Sequence, residues 1–398
     1  MITLLKIVFW LSVGALLHSY LLYPWLLKMF AKGRGQNKNQ FSRGDDLPVL
    51  VIVLSAFNEI KVIREKLESI YKTDYPYEKI KLYIGSDASD DGTDEVIREF
   101  ESRHDNIVFF PYTERSGKSK VLNKLFIELE SSGLKEDNII YIMTDANVMF
   151  DRSTLFDLVK NFKNDDIGQV GAQIINTDFS KADISYQEHY YIDRENDIKY
   201  LEGLNWGTMI GAFGACYAIR SSLIVDIPAN YLMEDFYLSM NVLKENKKAI
   251  LEKDAVCYED LPGEMHEEFK RKKRISAGNF QNLSSYYKLL WPPSALSFSF
   301  VSHKVLRWLG PFFIGGAFLS SLILGLFNNF YLLMFVLQCV LLSIPVLEKL
   351  AKDGKFNSVF LKFISYFYNM NLALFQGFIM YLKGVKTNVW QPTKRKNI

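Results

Sequence analysis

Residues 83–96, YIGSDASDDGTDEV, place five carboxylates and a Gly-Thr pair directly after an apolar run. Such a cluster is either a solvated turn, because Asp, Ser and Gly are ordinary turn residues, or the polar edge of a ligand site. At the carboxyl edge of a parallel sheet, the strand ends leave a crevice in which ligands bind. The neighbouring segments decide between these two interpretations.

Four apolar runs rich in β-branched and aromatic residues are predicted to be β-strands. They are PVLVIVLSAFNE (48–59), KIKLYIGSD (79–87), NIVFFPY (106–112) and NIIYIMTDAN (138–147). Between the first two, helical spacing predicts a helix packed on a sheet, with one face formed by Ile60, Ile63, Leu67, Ile70 and Tyr71. The alternation of strands and helices predicts an α/β fold with a mostly parallel sheet covered on both faces.

Three of the predicted strands end in polar side chains. These are Asn58 and Glu59 after the first strand, Asp87 with Asp90 and Asp91 after the second, and Asp145 with Asn147 after the fourth. Because parallel strands carry their carboxyl ends to the same side, the three groups are expected to share one crevice. One site is a more economical explanation than three independent turns.

Composition limits the class of protein. A chain of 398 residues is too long for one ordinary domain, and a net charge of +2 gives no reason to expect a nucleic-acid partner. Cys216, Cys257 and Cys339 lie far apart without metal-ligand spacing, which argues against a zinc site or a disulfide framework. A reducing, cytosolic environment fits this cysteine usage.

Apolar segments flank the central region. The first, within residues 1–34, is long enough to cross the bilayer, and the basic residues that follow it place the central region in the cytoplasm. At the other end we predict an interfacial segment (291–308), a transmembrane hairpin (309–348), a third segment that crosses or lies in the interface (357–383) and a basic tail (384–398). The prediction is a multi-pass protein of the bacterial inner membrane, with membrane lipids as partners.

Seven motifs occur in the order and spacing of the family 2 glycosyltransferases. They are VLSAFNE (53–59), SDASDDGT (86–93), SGKSKVLN (116–123), TDANV (144–148), GAFGACYAIR (211–220), MEDF (233–236) and RKKRISAGNFQ (271–281). Residues 45–290 therefore resemble this family, which has the GT-A fold. The chain is especially similar to the membrane-bound bacterial enzymes that make exopolysaccharides or capsules, a group that includes the hyaluronan and poly-N-acetylglucosamine synthases.

The resemblance implies a nucleotide-sugar pocket. In it Glu59 and Asp87 would contact the uridine of a UDP-sugar, since carboxylates accept hydrogen bonds from base or ribose, and Phe57 stands where tyrosine is common. Lys118 would contact the donor diphosphate, which needs cationic partners, although a loop lysine is otherwise usually solvated.

The resemblance also implies a metal site. Asp145 and Asn147 occupy the Asp-x-Asp position that holds a divalent cation, Mg²⁺ or Mn²⁺, against the diphosphate. The second aspartate of the usual motif is asparagine here, which supplies an oxygen ligand with less charge. The alternative for this pair is an ordinary strand-end turn.

Asp235 matches the general base of the family, which takes the proton from the acceptor hydroxyl during inverting transfer. Glu234 beside it would be a neighbour of metal or substrate on the acceptor side. An acidic pair that opens a helix also stabilises the helix dipole, which is the alternative explanation for both residues.

Residues 271–275 match the Gln-x-x-Arg-Trp region of processive relatives. Arg274 keeps the arginine that contacts the diphosphate, whereas Arg271 replaces glutamine and Ile275 replaces tryptophan. Loss of the tryptophan face weakens the case for a long processive polymer. Upstream, Trp206 is a candidate for stacking on the acceptor sugar.

The predicted function is a membrane-bound inverting glycosyltransferase of the hexosyltransferase type, acting in exopolysaccharide or capsule synthesis. It would move a sugar from a UDP-sugar to a growing glycan or a lipid-linked acceptor, with an oligomer or an export subunit as a further partner. Two alternatives stay open: a single-sugar transferase to polyprenyl phosphate, and an inactive scaffold of an export complex.

Overall fold

The structure is a computed structural model that describes residues 1–35, 37–177, 185–260, 264–350 and 358–389. The chain divides into two compact units. The helical unit comprises Met1–Phe30, Phe179–Glu188 and Gly263–Gly384, and the sheet unit comprises Ala31–Asp178, His189–Pro262 and Val385–Ile398.

An eight-stranded sheet forms the centre of the sheet unit, in the order β3-β2-β1-β4-β7-β6-β8-β5. The strands are β1 (Val49–Ala56), β2 (Ile80–Asp87), β3 (Ile107–Tyr112), β4 (Ile139–Thr144), β5 (Val148–Phe150), β6 (Ile167–Thr177), β7 (Cys216–Arg220) and β8 (Lys248–Asp260). Neighbours from β3 to β4 are parallel, as are β6 and β8, whereas β7 runs antiparallel to both β4 and β6. The predicted α/β fold with a mostly parallel sheet is confirmed.

All four predicted strands form, and their order explains the convergence of polar groups. Strand β1 lies between β2 and β4, and all three are parallel, so the residues after Ala56, Asp87 and Thr144 emerge at the same edge. Strand β1 is buried along nearly its whole length, as expected for a central parallel strand with helices on both faces. The apolar strands therefore bring the polar residues that follow them to one edge of the sheet.

The helices of the sheet unit connect these strands. They are α3 (Ile63–Tyr71), α4 (Thr93–Glu101), α5 (Lys118–Ser131), α6 (Thr154–Val159) and α8 (Glu234–Lys244), together with α7 (Ser185–Trp206), whose first turn, through Glu188, is counted with the helical unit.

Helix α3 begins later than its apolar spacing predicts. Asn58 has a φ of +52°, and the Ile60 backbone N–H donates to an Asp91 carboxylate oxygen at 3.1 Å. These local bonds hold residues 58–60 as a loop, so the helix begins at Ile63 and Ile60 is exposed. The buried face of α3 also contains Lys66, which the apolar pattern did not predict.

The helices of the helical unit are α1 (Ile2–Leu17), α2 (Tyr23–Phe30), α9 (Met265–Tyr286), α10 (Ala295–Ser299), α11 (Leu306–Trp308), α12 (Gly310–Gly325), α13 (Asn329–Leu350) and α14 (Val359–Leu382). A π-helical turn, His18–Leu22, joins α1 to α2. Helix α14 packs closely on α9 at Gly377, where a Cβ atom would lie 2.5 Å from the Lys273 carbonyl oxygen.

Within the part of the chain that the structure describes, two helices are long and apolar enough to cross a membrane: Ile2–Phe30 and Asn329–Leu350. A third span results if Ala295–Trp308 and Gly310–Gly325, which meet at a bend of 63°, are taken together. Helix α14 carries Lys362, Asn369, Asn371 and Gln376 and does not reach the same apolar character. Both predicted paths for this segment, crossing and interfacial, therefore stay open.

A buried charge cluster lies in the helical unit. Glu188 is almost fully buried, and its carboxylate accepts bonds from Arg271 at 2.8 Å, from Lys272 at 2.9 Å and from the Tyr366 hydroxyl. Glu268, also buried, pairs with the same two cations. Burial opposes ionisation, but the attraction of Lys272 and Arg271 outweighs it and holds the pKa of Glu188 below its usual value.

We expect Glu188→Gln to reduce the free energy of unfolding at pH 7 by about 1 to 3 kcal/mol, because it removes one of the two buried carboxylates that pair with the partly buried Arg271 and Lys272. The loss disappears as the pH falls through the depressed pKa of Glu188, since the carboxylate then becomes neutral in the wild type too. Thermal unfolding of the detergent-purified protein measures both effects. Glu264→Gln, at an exposed position, is the matched control, and equal stability of the two variants would contradict the cluster's role.

Candidate active site

Asp87, at the end of β2, organises the loop that leads into α5. The carboxylate is fully buried and accepts bonds from the backbone N–H groups of Ser116 at 2.7 Å and Gly117 at 2.9 Å. The Arg115 guanidinium donates to the same carboxylate at 3.2 Å. In this structure Asp87 thus holds a loop, and its predicted contact with uridine stays a prediction.

The loop continues with Gly117, whose φ of +86° favours glycine. A Cβ atom at this position would collide with the side-chain oxygen of Asn388. The first residues of the predicted basic tail therefore lie against the loop that precedes Lys118.

Phe57 lies directly after β1 and is buried. The guanidinium carbon of Arg115 is 3.0 Å from the centroid of the Phe57 ring, so the arginine stacks on the ring while it bonds Asp87. Sequence reasoning missed Arg115, because nothing in its spacing distinguishes it from other loop arginines.

The opening acidic stretch ties the ends of β1 and β2 together. Asn58 and Asp90 exchange two hydrogen bonds, of 2.8 and 3.0 Å. The backbone N–H of Glu59 donates to the Thr93 hydroxyl at 2.8 Å, and that hydroxyl donates to Asp91 at 2.6 Å. Asp90 and Asp91 are therefore structural, and they hold Glu59 at the sheet edge.

Lys118, the first residue of α5, connects two other predicted site residues. Its ammonium lies 2.7 Å from a carboxylate oxygen of Asp145, after β4, and 2.7 Å from one of Glu234, at the start of α8. Although burial alone would lower it, the attraction of these two carboxylates raises the pKa of Lys118 well above its ordinary value. The structure therefore brings together Lys118, Asp145, Glu234 and the adjacent Asp235.

Asp235 is half-buried beside Glu234. Its carboxylate accepts a bond from the Phe236 backbone N–H at 2.7 Å. Gly214 packs closely against this carboxylate, because a Cβ atom at position 214 would lie only 2.7 Å from an Asp235 oxygen. Burial, and then repulsion from Glu234, raise the pKa of Asp235 to about 6. A carboxylate with this pKa is ionised at neutral pH yet basic enough to accept a proton.

Tyr217, on β7, belongs to the same group of side chains. It is fully buried, and its pKa is raised well above the ordinary value by burial and then by the nearby Asp235 and Glu234 carboxylates. Its phenol therefore stays protonated. The motif GAFGACYAIR contains Tyr217, but nothing in its pattern singled out this residue in the sequence.

Asp145 and Asn147 are the predicted metal ligands. Among the described residues, no three His, Cys, Asp or Glu side chains are arranged to hold a metal ion by themselves. Mg²⁺ is usually bound by one or two carboxylates together with substrate phosphates. The partly exposed Asp145 carboxylate could therefore serve as one of its ligands. Asn147 donates its amide N–H to Glu259 at 3.2 Å, which leaves its carbonyl oxygen as the atom able to ligate.

Three predicted residues are left: Trp206, Arg271 and Arg274. Trp206 is the last residue of α7. Arg271 and Arg274 are on α9 in the helical unit, where Arg271 pairs with Glu188 and Glu268. Their predicted roles toward donor and acceptor stay predictions.

Family comparisons extend over most of the chain. Residues 51–224 match the family model Glycosyl transferase family 2. Residues 142–347, more than half of the chain, match the model Glycosyl transferase family group 2. The chain belongs to glycosyl transferase family 2. It is a glycosyltransferase, and the family that the seven motifs predicted is confirmed.

Individual relatives of this family 2 glycosyltransferase include polysaccharide synthases. The poly-beta-1,6-N-acetyl-D-glucosamine synthase of Staphylococcus aureus (strain COL) is 25% identical over 254 residues, which are 62% of this chain and 58% of that protein. The enzyme of the same name from Staphylococcus epidermidis is 31% identical over 120 residues, or 30% of this chain and 26% of that protein. The match thus spans less than two thirds of the length of these relatives.

One solved structure is similar over nearly its whole length. The mannosyltransferase PcManGT from Pyrobaculum calidifontis, in complex with GDP-Man and Mn²⁺, has a TM-score of 0.70 and 19% identity, covering 96% of this chain and 98% of that one. The likeness establishes the GT-A fold of this glycosyltransferase.

Proposed function

We propose that this family 2 glycosyltransferase is an inverting, membrane-bound enzyme. It transfers a sugar from a UDP-sugar to a hydroxyl of a growing glycan or a lipid-linked acceptor, in exopolysaccharide or capsule synthesis. The observation that carries the proposal is the joining of Asp145, Glu234 and Asp235 around Lys118 at the carboxyl edge of β1, β2 and β4.

Asp235 is the proposed general base. With a pKa raised to about 6 by burial and by Glu234, it is ionised at pH 7.5 and takes the proton from the acceptor hydroxyl as that oxygen bonds to the anomeric carbon. The bond from that carbon to the diphosphate breaks on the opposite face, so configuration inverts and the nucleotide diphosphate leaves.

Lys118 and the loop held by Asp87 form the proposed donor side. The Lys118 ammonium, held between Asp145 and Glu234, would attract the negatively charged diphosphate of the donor. Phe57, Glu59 and Arg274 complete the proposed donor contacts. Asp145 and Asn147 would hold Mg²⁺ or Mn²⁺, which supplies positive charge to the departing diphosphate. The Mn²⁺ named in the similar mannosyltransferase supports a divalent cation.

The acceptor side is proposed to include Arg271 and Trp206, with Glu234 next to the base. Two or three membrane-crossing helices support a multi-pass location in the bacterial inner membrane with the sheet unit in the cytoplasm. Oligomers or an export subunit are proposed as further partners.

The donor is tested by UDP release from purified enzyme with Mn²⁺ and a panel of donors, followed by the mass of the product. The relatives' names make UDP-N-acetylglucosamine the first donor to test, and GDP-mannose is included because the similar mannosyltransferase binds it. A product of one sugar on polyprenyl phosphate would replace the polymer proposal. Absence of turnover with every donor despite UDP binding would favour the scaffold alternative.

A further inference from the structure

A buried lysine lies behind the proposed metal-binding turn. Lys66, on α3, is fully buried, and its ammonium donates to the Thr144 hydroxyl at 2.9 Å and to the Val148 carbonyl at 2.6 Å. The ammonium is also 3.5 Å from the centroid of the Phe150 ring. Lys66 has no role in the proposed transfer of the sugar.

The two hydrogen-bond partners of Lys66 flank the turn that carries Asp145 and Asn147. Thr144 is the last residue of β4, and Val148 is the first residue of β5, so one ammonium joins the two ends of the turn. The turn is also held by the Val148 N–H, which donates to the Asp145 carbonyl at 3.3 Å. Asp145, within this turn, carries the carboxylate that pairs with Lys118.

A core position rarely contains a lysine without a carboxylate partner, because burying an ammonium is costly. Within the described ranges, no Asp or Glu carboxylate forms an ion pair with Lys66, and its ammonium is held by the Thr144 hydroxyl and the Val148 carbonyl oxygen. Burial lowers the pKa of Lys66 to about 8, so the side chain is still charged at pH 7. An apolar side chain of similar length would fill the same space without this cost.

We propose that Lys66 is a positioning residue, which joins both ends of the Asp145–Asn147 turn so that the turn's oxygens are pre-arranged for a divalent cation. The inference rests on the proposed function, because it assigns the cation to this turn. Preorganisation of a ligand set by surrounding hydrogen bonds is a general feature of metal sites, and its loss typically weakens metal binding by about 10 to 100-fold.

The test is Lys66→Met, measured at pH 7.0 in the full chain. Mn²⁺ binding in the presence of UDP is followed by electron paramagnetic resonance, and UDP release is measured as a function of Mn²⁺ concentration. We expect the half-saturating Mn²⁺ concentration to rise by about tenfold in both assays, with kcat at saturating Mn²⁺ changed much less and thermal stability equal to or above that of the wild type. Lys61→Met, at an exposed position beside α3, is the matched control.

Thr144→Val provides a second variant if Lys66→Met does not fold. It removes the hydroxyl that accepts from Lys66 but retains the shape of the side chain, so we expect a smaller shift in the same direction. Unchanged Mn²⁺ binding in a folded variant, or a loss of kcat at unchanged half-saturation, would overturn the proposal. A wild-type protein without Mn²⁺-dependent UDP release would instead refute the proposed function.

Discussion

Replacing Asp235 by asparagine is expected to reduce sugar transfer by between about 10² and 10⁴-fold, with little change in the KM for the donor. The carboxamide of the replacement side chain cannot accept the proton of the acceptor hydroxyl, but it has the same shape and can still accept the bond from the Phe236 N–H. Product formation at pH 7.5 under saturating donor measures the effect. Asp226→Asn, an exposed position before α8, is the control that should retain wild-type activity.

The wild-type pH profile provides an independent check of the same assignment. Because Asp235 must be ionised to act as a base, kcat/KM should fall about tenfold per pH unit below its pKa of about 6. A rate that stays constant down to pH 5, or an active Asp235→Asn enzyme, would remove Asp235 as the base.

Asp235→Asn should also be more stable than the wild type at pH 7.5. The folded-state pKa of Asp235 lies above its usual value, so its contribution to stability is greatest below the unfolded pKa and is lost as the pH rises through about 6. Removing the buried charge should therefore raise the free energy of unfolding by about 1 to 3 kcal/mol at pH 7.5. The difference should vanish near pH 4, where the wild-type carboxyl is largely protonated in the folded state.

Replacing Lys118 by methionine is the second large effect that we expect. The substitution removes the cation between Asp145 and Glu234 and leaves three neighbouring carboxylates unbalanced. We expect kcat to fall by at least about 10²-fold, the range observed when one electrostatic group is removed from a catalytic site. Initial-rate kinetics with the donor identified from the panel provide the measurement.

The pH dependence of the rate distinguishes an electrostatic effect of Lys118 on Asp235 from a general loss of structure in Lys118→Met. Lys118 lowers the pKa of Asp235 against the larger effects of burial and Glu234, so its removal should move the acidic limb of the pH–rate profile to higher pH. Lys120→Met, two residues further along and exposed, should leave the profile unchanged. An unshifted profile in Lys118→Met would show that the ammonium does not act on the base.

The strands and the shared edge were predictable because they depend on local patterns. A buried parallel strand needs a continuous apolar run, and the polar residues that end β1, β2 and β4 are visible in the sequence. The rule that parallel strands end on one side then brings Asp87 and Asp145 to the same edge. Family motifs added Asp235 and Lys118, for which no local pattern indicates a role.

The partners of these residues were not predictable from the sequence. The many carboxylates of residues 83–96 are alike in sequence, yet Asp90 and Asp91 hold turns while Asp87 is buried against the loop before α5. The division follows from which donor groups each carboxylate reaches after folding, and several of these donors, the Asn58 amide, the Ile60 N–H and the Ser116 N–H, lie about 30 residues away along the chain.

The amino-acid sequence by itself determined the α/β class, the polar residues that end the strands and the length and apolar character of the helices Ile2–Phe30 and Asn329–Leu350, because each depends on periodicity or composition within one segment. Only the tertiary structure decided that Lys118 lies between Asp145 and Glu234, that Tyr217 is buried near Asp235 and that Lys66 reaches both ends of the Asp145–Asn147 turn. These contacts join segments far apart in the chain, and the geometry of burial selects them.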